Sequence, residues 1–318
     1  MVSVMNCVRG LVVTMSKPKV LVLMAAFNGE MWIKEQIDSI TRQAGVNVSL
    51  YIFDDGSDDS TVAVIEECVA KNNSISLIRA TTPSGSAGKA FMQLMTLAPS
   101  SGFDFVAFAD QDDIWDADKI STAAKQLLEC GGHAYSCAVT AVWSNGRIRV
   151  IRQGAPARTL DHFFEGGGQG CTYLIENKFF CEIQEFIKNN RPLCKKFHYH
   201  DWLIYILARA WCKVWIFDDT PHIRYRQHDA NELGARGSMG GLQRRLERIK
   251  SGWYTSQIRV AANIYGAARG AIDVQSDKVE KFLRGGSWFY SLRILFFQSR
   301  RRLIDRCALV ILFLAGWI

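Results

Sequence analysis

Clustered aspartates that follow a short aromatic run are the residues of this chain best suited to chemistry. Asp110, Asp112 and Asp113 come directly after residues 103–109, whose length and aromatic content predict a buried strand. Carboxylates this close disfavour one another's ionised form unless a cation lies between them. Oxygen ligands in this number suit Mg²⁺ or Mn²⁺, and such an ion would hold a diphosphate. The alternative is an acidic surface loop ahead of a helix that starts near Asp116.

A further acidic candidate stands in front of an apolar segment with helical character. Asp201 lies between His200 and Trp202 in the sequence FHYHDW. A carboxylate in this position would either cap the helix or act as a general base aimed at an incoming hydroxyl group. His198 and His200 have no third ligand at a suitable spacing, so we do not predict a metal site between them.

Basic and imidazole side chains near residue 226 are candidates for binding phosphate. His228 would complete a metal or phosphate site, and Arg224 or Arg226 would neutralise a diphosphate. Two predicted strands also end in polar residues, where Asp54 or Asp55 would accept hydrogen bonds from a uracil or thymine imide or from ribose hydroxyls. Turn formation and helix capping are the alternative roles for these two acids.

The segments around these candidates alternate between strand and helix. Apolar runs predict strands at residues 19–26, 46–53, 75–78 and 103–109, and helical spacing predicts helices at residues 31–43, 62–71, 90–97 and 117–128. This alternation is typical of a doubly wound, mostly parallel α/β sheet. Ligands bind such sheets at the carboxyl ends of the strands.

The pattern is looser beyond residue 134. We predict a hairpin of residues 139–143 and 148–151 with an Asn-Gly turn, and a strand at residues 171–175. Helices are expected at residues 179–188 and 202–211, and a short strand at residues 213–217.

Composition and charge divide the chain unevenly. With 318 residues and 48% hydrophobic content it can bury a large core. Residues 241–318 contain 14 Lys and Arg against five Asp and Glu, whereas residues 1–240 contain 24 against 26. The positive excess therefore predicts a basic attachment segment, and we expect no nucleic-acid partner. Nine cysteines without a CxxC pair predict reduced thiols in the cytoplasm.

The basic C-terminal region, residues 241–318, places arginines beside Leu, Phe and Trp. Its last apolar run is too short to span a bilayer, which takes about 20 residues. The composition favours an interfacial helix on an anionic leaflet. The alternatives are a helical subdomain packed on the core with solvated arginines, and a dimer interface. At the other end, the first residues carry no convincing signal-peptide cleavage site. We expect residues 1–16 to be disordered or a mis-assigned start, with Met15 as an alternative start and residues 1–14 poorly ordered.

Six motifs in order resemble the family 2 glycosyltransferases of bacterial polysaccharide synthesis, and most of all their rhamnosyltransferase-like branch. They are AAFNGE, DDGSDDST, FADQDDIW, GQGCTYLI, HDWLIYILA and YRQH, and the resemblance covers roughly residues 17–240. It implies a GT-A fold, a dTDP- or UDP-linked sugar donor, a divalent cation and inversion at the anomeric carbon. It also implies a saccharide or lipid-linked acceptor at the cytoplasmic face of the membrane.

The resemblance implies a role for each matching position. Asp201 matches the catalytic base, and the implied metal ligands are Asp110, Asp112, Asp113 and His228. The nucleotide-sugar side is implied to comprise Ala26, Phe27, Asn28, Asp54, Asp55, Asp110, Gln111 and Arg226. The acceptor side is implied to comprise Gly168, Gln169, Gly170, His200 and Trp202. At Lys89-Ala90-Phe91 the chain departs from its relatives, which carry Asn before the Phe at a donor-sugar contact.

Other functions fit the motifs less well. A nucleotidyltransferase would carry a glycine-rich basic loop after the first strand, where this chain has AAFNGE. GGGQG at residues 166–170 is not the GxGxxG motif of a dinucleotide-binding dehydrogenase. A non-catalytic nucleotide-binding scaffold of a polysaccharide assembly complex is the remaining alternative, and the three acids Asp110, Asp112 and Asp201 argue against it.

Overall fold

The computed structural model describes residues 16–99, 101–152, 156–228, 246–270 and 273–318. The expectations for residues 1–16 therefore lie, apart from Ser16, outside the described residues, and so does the predicted boundary at residue 240.

One mixed sheet forms the centre of the described chain. Its strands are β1 Lys19–Ala26, β2 Asn47–Asp54, β3 Ile75–Arg79, β4 Phe105–Ala109, β5 Ile114–Trp115, β6 Ala134–Trp143, β7 Ile148–Ile151, β8 Leu174–Glu176 and β9 Trp215–Gln227. Their order is β3-β2-β1-β4-β8-β6-β9-β5, with β7 paired to β6. The first four strands in this order are parallel, and β8 is antiparallel to both β4 and β6.

Helices cover both faces of the sheet and continue to the C-terminus. They are α1 Ile33–Thr41, α2 Thr61–Lys71, α3 Ala87–Leu97, α4 Lys119–Cys130, α5 Asn177–Asn189, α6 Arg191–Cys194, α7 His200–Ala210, α8 Trp253–Arg269, α9 Val274–Leu283, α10 Trp288–Phe297 and α11 Leu303–Leu314. Short 3-10 helices lie at Asp161–Phe163 and Gly170–Thr172. No helix among the described residues is long and apolar enough to cross a membrane.

Strand β1 is apolar along nearly its whole length because both of its faces are covered. Leu21 and Leu23 belong to the hydrophobic core on one side of the sheet, and Val20 and Val22 to the core on the other. Ala26 pairs with Asp54 at the end of β2. Because the parallel strands β1, β2 and β4 all end at this edge, the polar residues that follow them are brought together there.

The predicted strands up to residue 109 are confirmed within about two residues, whereas two later predictions are wrong in extent. Residues 171–175 begin as the 3-10 helix Gly170–Thr172, and only then does β8 start. The strand predicted at residues 213–217 continues to Gln227, because it pairs in parallel with β6 past two shifts of register. A charged and turn-like sequence hid this long strand.

The C-terminal helices share the hydrophobic core on one side of the sheet. The residues of this core range from Leu21 to Leu309 in the chain. The packed-subdomain alternative expected the arginines of this region to be solvated. Several of them instead bind the core. Arg301 donates to the carbonyl of Gly166 at 2.7 Å and lies 3.3 Å from Asp161. Arg300 donates to the carbonyl of Phe164 at 2.9 Å. Part of the positive excess is therefore structural.

Candidate active site

Gln111 joins the end of β1 to the acidic loop that follows β4. The Phe27 N–H donates to Gln111 Oε1 at 2.9 Å, and Gln111 Nε2 donates to the Phe27 carbonyl at 2.8 Å. A Cβ at Gly29 would lie 2.3 Å from Gln111 Oε1, so this contact requires glycine there. The Gln111 amide is thus bound to backbone, while the Phe27 side chain is 52% exposed at the sheet edge.

Asn28 connects the loops after β1 and β2. Its Nδ2 donates to Asp58 Oδ1 at 2.7 Å, and the Asp58 N–H donates back to Asn28 Oδ1 at 3.0 Å. The Ser57 hydroxyl accepts a further bond from the Asn28 N–H. Asn28 has a positive φ of 48°, a conformation that asparagine tolerates better than most residues. Its role in the structure is to hold these two loops in a fixed relation.

The acids at the end of β2 are buried and hydrogen-bonded. Asp54 accepts from the Ser57 hydroxyl and from the Gly56 N–H. Asp55 accepts from both the N–H and the hydroxyl of Ser84, each at 2.7 Å. Asp55 thereby draws the loop after β3 towards Ala26, whose carbonyl accepts from the Asp55 N–H. On the predicted nucleotide side, the carboxylates of Asp54 and Asp55 therefore stabilise the loops after β2 and β3 by hydrogen bonds.

Asp112 and His228 meet at the same edge, although 116 residues separate them in the chain. His228 Nε2 lies 2.8 Å from Asp112 Oδ2, and the His228 ring stacks on Trp32 with centroids 4.0 Å apart. Adjacent ligands of an octahedral cation with bonds of about 2.1 Å lie about 3.0 Å apart. The two atoms are therefore spaced as neighbouring ligands of one small divalent cation would be.

Asp113 is fully buried beside this pair. Neither of its carboxylate oxygens has a hydrogen-bond partner of normal geometry among the described residues. Burial, followed by the charges of Asp110 and Asp112, raises the pKa of Asp113 well above its ordinary value, and the nearby Cys171 thiol and Arg226 amide offset only part of that rise. A buried carboxylate without a partner is costly unless a positive charge compensates it.

The donor types and the spacing of these side chains suit a divalent cation. Donor atoms of Asp110, Asp113 and Cys171 lie within 4.8 Å of one another, next to Asp112 and His228. Carboxylate oxygens and an imidazole suit Mg²⁺ or Mn²⁺, whereas a thiol does not. Burial and the charges of Asp113 and Asp110 raise the pKa of Cys171 well above its ordinary value, which keeps the thiol neutral. The acids and the imidazole, and not the thiol, fit the ion.

Asp201 lies beside Gly170, the residue that precedes Cys171 of the acid cluster. It occupies the first turn of α7, where its Oδ1 accepts from the Trp202 N–H at 2.7 Å. A Cβ at Gly170 would lie 3.2 Å from the Cβ of Asp201, and the next residue, Cys171, contacts the group formed with Asp110 and Asp113. Asp201 and the acid cluster therefore lie next to two adjacent residues, Gly170 and Cys171, in one region of the molecule.

The residues predicted on the acceptor side are mostly buried around this dipeptide. His200 stacks on Phe91 with centroids 3.9 Å apart, and burial lowers the pKa of His200 to about 3, so its ring is neutral. Trp202 donates from its indole N–H to the His162 carbonyl at 2.7 Å. The carbonyls of Gly168 and Gln169 accept from the hydroxyls of Tyr173 and Thr172. These residues shape the wall that positions Asp201.

Arg226 forms an ion pair with Glu35 of α1, and its guanidinium is thus already engaged. Sequence reasoning missed Glu35, Trp32 and Cys171. The first two precede or begin α1, where they look like ordinary helix residues, and Cys171 carries a signal only as part of GQGCTYLI. Arg224, the other predicted cation, pairs by its backbone with Ile114 of β5.

Sequence and structure comparisons identify the family and the fold. The family model "Glycosyl transferase family 2" matches residues 21–189, more than half of the chain. The chain belongs to glycosyl transferase family 2. A relative described as the dTDP-rhamnosyl transferase RfbG of Shigella flexneri is 36% identical over 241 residues, which cover 76% of this chain and 83% of that protein.

A second relative and two solved structures extend the family comparison. The UDP-Glc:alpha-D-GlcNAc-diphosphoundecaprenol beta-1,3-glucosyltransferase WfgD of Escherichia coli is 28% identical, over 58% of this chain and 68% of its own. TarS 1–349 of S. aureus in complex with UDP has a TM-score of 0.56 at 17% identity, covering 88% and 72% of the two chains. The mannosyltransferase PcManGT from Pyrobaculum calidifontis, with GDP-Man and Mn²⁺, has a TM-score of 0.50 at 13% identity, covering 94% and 87%. The predicted GT-A fold is confirmed.

Proposed function

We propose that this glycosyltransferase inverts configuration as it moves a sugar, with rhamnose favoured, from a nucleoside diphosphate to a saccharide or lipid-linked saccharide. The reaction would serve cell-surface polysaccharide synthesis at the cytoplasmic face of the membrane. The observation that carries the proposal is that Asp201 lies beside Gly170 while the adjacent Cys171 lies beside Asp110 and Asp113. The relative named as a dTDP-rhamnosyl transferase supports the choice of sugar.

In this proposal, the cation is held by Asp110, Asp112 and His228, with Asp113 beside them. When bound, it would supply the positive charge that stabilises a departing nucleoside diphosphate. The stacking of His228 on Trp32 and its contact with Asp112 orient the imidazole before an ion arrives. The side chains thus provide a preorganised set of donors, and Asp113 is the group whose burial gains most from the neighbouring charge.

The nucleotide would lie along the loops after β1 and β2. Phe27 offers an exposed aromatic surface there, and Ala26 leaves room for a planar base close to the backbone. Asn28, Asp54 and Asp55 fix these loops through their own hydrogen bonds. We assign Gln111 the same supporting role because its amide is committed to Phe27.

Asp201 is the proposed general base. The bond from the Trp202 N–H orients its carboxylate in the first turn of α7. The acceptor hydroxyl transfers its proton to Asp201 while its oxygen forms the new bond to the anomeric carbon. The bond from that carbon to the diphosphate breaks at the same time, and its electron pair leaves with the diphosphate. A single displacement inverts configuration, so a β-L-rhamnosyl donor gives an α-rhamnoside.

The test separates donor binding from transfer. Asp201→Asn is expected to retain the thermal stabilisation by dTDP or UDP with Mn²⁺ and to lose transfer by about 10²–10⁴-fold, the usual contribution of a general base. Asp219→Asn, at an exposed position of β9, removes the same charge away from the site and should transfer normally. A panel of nucleotide sugars with the unchanged enzyme identifies the donor.

Two results would contradict the proposal. Normal turnover by Asp201→Asn would remove the base assignment. A chain that shows neither metal-dependent stabilisation by either nucleotide nor donor consumption would favour the non-catalytic scaffold.

A further inference from the structure

Helices α10 and α11 expose apolar side chains that the fold does not use. Phe289 is 79% exposed and Ile304 is 67% exposed. We define the C-terminal apolar face as the exposed large hydrophobic residues of these two helices, which are Trp288, Phe289, Phe296, Phe297, Leu303, Ile304, Ile311 and Leu314. So many exposed large hydrophobic residues on two neighbouring helices are unusual for a soluble surface and mark an interaction site.

Helical geometry places these residues on one side of each helix. At 100° per residue, the exposed members of α10 lie opposite its buried residues Ser291, Ile294 and Leu295. In α11 the exposed members likewise lie opposite the buried Asp305, Arg306 and Leu309. Because the buried sides attach both helices to the core, the apolar face is surplus to folding.

The charges around this face are positive. Residues 281–318 contain a single acid, Asp305, which is buried. Lys281, Arg284 and Arg293 are exposed; Arg284 pairs with Glu280, Lys281 lies over the Tyr290 ring of α10, and Arg293 lies on the same side of α10 as the apolar residues. A second copy of the chain would bring the same positive charges against this face and be repelled. An anionic surface would be attracted.

We propose that the C-terminal apolar face binds the interface of an anionic lipid bilayer. Aromatic residues combined with cations on short amphipathic helices are typical of segments that lie in the plane of a membrane surface. Helices of 10 and 12 residues are too short to cross a bilayer, which takes about 20 residues. The insertion is therefore shallow, with aromatic rings at the level of the headgroups and exposed arginines against lipid phosphates.

This inference differs from the sequence-based expectation in the residues that make the contact. The sequence pointed to its arginine clusters, but Arg300 and Arg301 are bound to the core, and Arg306 is buried and donates to the Phe296 carbonyl of α10. Apolar insertion supplies most of the binding, and the three exposed cations supply the preference for anionic lipid. The inference does not depend on the donor or on Asp201.

The experiment is co-sedimentation of the full chain with vesicles of phosphatidylglycerol and phosphatidylethanolamine, and separately with phosphatidylcholine alone. We expect binding to the anionic vesicles that weakens in high salt. The double variant Phe289→Ser/Phe297→Ser should bind about tenfold more weakly. The matched control Leu128→Ser/Ile148→Ser changes residues of equal exposure outside this face and should bind like the unchanged chain. Thermal unfolding confirms that each variant is folded.

A second variant and a measurement of mass keep the proposal open to refutation. Ile304→Ser/Ile311→Ser changes α11 only and should weaken binding as the α10 variant does. Unchanged binding by both double variants, or no binding by the full chain, would overturn the proposal. A dimer in light scattering that dissociates in either variant would assign the face to a second copy, which would also overturn it. Binding equal on both vesicle types would refute the role of the cations.

Discussion

Adding a single methyl group at Gly170 should disturb the proposed base. In Gly170→Ala the new Cβ would lie 2.8 Å from His200 Nε2 and 3.2 Å from the Cβ of Asp201. Ordinary contacts between such atoms are about 3.5 Å or longer, so the shortfall is roughly 0.7 Å at His200. His200 cannot withdraw easily, because it is buried and stacked on Phe91. The start of α7 must therefore move.

The size of the effect follows from this displacement. Overpacking of this kind costs about 1–3 kcal/mol, which lowers the melting temperature by a few degrees in a protein of this size. A misplacement of about 1 Å in a catalytic group costs about 10²-fold in rate. We therefore expect kcat to fall by roughly 10- to 100-fold, while stabilisation by dTDP or UDP with Mn²⁺ is retained because the donor side is not touched.

A matched substitution separates local crowding from a general effect of alanine. Gly266 lies within α8, where the nearest atom to an added Cβ is Ser276 Oγ at 4.0 Å. Gly266→Ala should leave kcat unchanged and raise stability by about 0.5–1 kcal/mol, since alanine favours a helix interior over glycine. Both variants are compared by calorimetry and by steady-state transfer to a soluble acceptor.

Three results for Gly170→Ala have different meanings. Unchanged kcat together with an unchanged melting temperature would show that the added methyl group does not displace the start of α7. A lower melting temperature with unchanged kcat would show that α7 moved without consequence, and Asp201 would not be the base. A higher KM for the acceptor with unchanged kcat would show that the methyl group blocks acceptor binding.

Two further predictions concern the buried ion network and the acid cluster. Asp161→Asn should lose at least about 2 kcal/mol of stability at pH 7, because the pKa of Asp161 is held at about 2. The ionised form of Asp161 stabilises the fold above about pH 4. This stabilisation disappears as the pH falls through 2. Urea unfolding that shows the same gap between the two proteins at pH 7 and pH 3 would contradict this. His228→Ala should raise the Mn²⁺ concentration that gives half-maximal stabilisation by dTDP about tenfold; an unchanged midpoint in the thermal-shift titration would remove His228 from the cation site.

The low pKa of Asp161 has a definite physical cause. Burial raises this pKa, yet the buried Asp161 contacts the guanidinium groups of Arg209 and Arg301 and accepts from the Tyr205 hydroxyl and the Arg158 N–H, and the net result is a lowered pKa. His162 Nδ1 lies 3.7 Å from Asp161, too far for a hydrogen bond. Burial also lowers the pKa of His162 to about 4, so this imidazole is neutral at pH 7. The two arginines and these two hydrogen bonds therefore keep Asp161 ionised.

The parallel part of the fold was predicted well because local residue patterns determine its strands and turns. Strand β1 was predicted with its observed ends, since a fully buried strand is continuously apolar and the turn residues after it are distinctive. The same logic placed the acids after β4 at the functional edge of the sheet. Strand β9 was largely missed, because it is half-exposed and stabilised by pairing with β6, a partner about 80 residues earlier.

What the sequence could not show is which polar side chains are already engaged. Gln111 is bound to Phe27, 84 residues away, and Asn28 to Asp58, 30 residues away. Such bonds depend on the tertiary approach of loops, which residue types and local spacing do not encode. The same limit applies to Asp112 and His228, which were both expected at a metal or phosphate site but whose direct contact no local pattern in the sequence shows.

The C-terminal arginines give a physical reason why the catalytic region and the basic region form one unit. Arg301 binds Asp161 and the Gly166 carbonyl, and the neighbouring His162 carbonyl accepts from the Trp202 indole at the start of α7. The segment around Asp161 therefore touches the C-terminal region on one side and supports the residue next to Asp201 on the other. The arginines of the C-terminal region therefore support, through this segment, the start of α7 that carries the proposed base. The outer helices α10 and α11 remain available for contact with lipid.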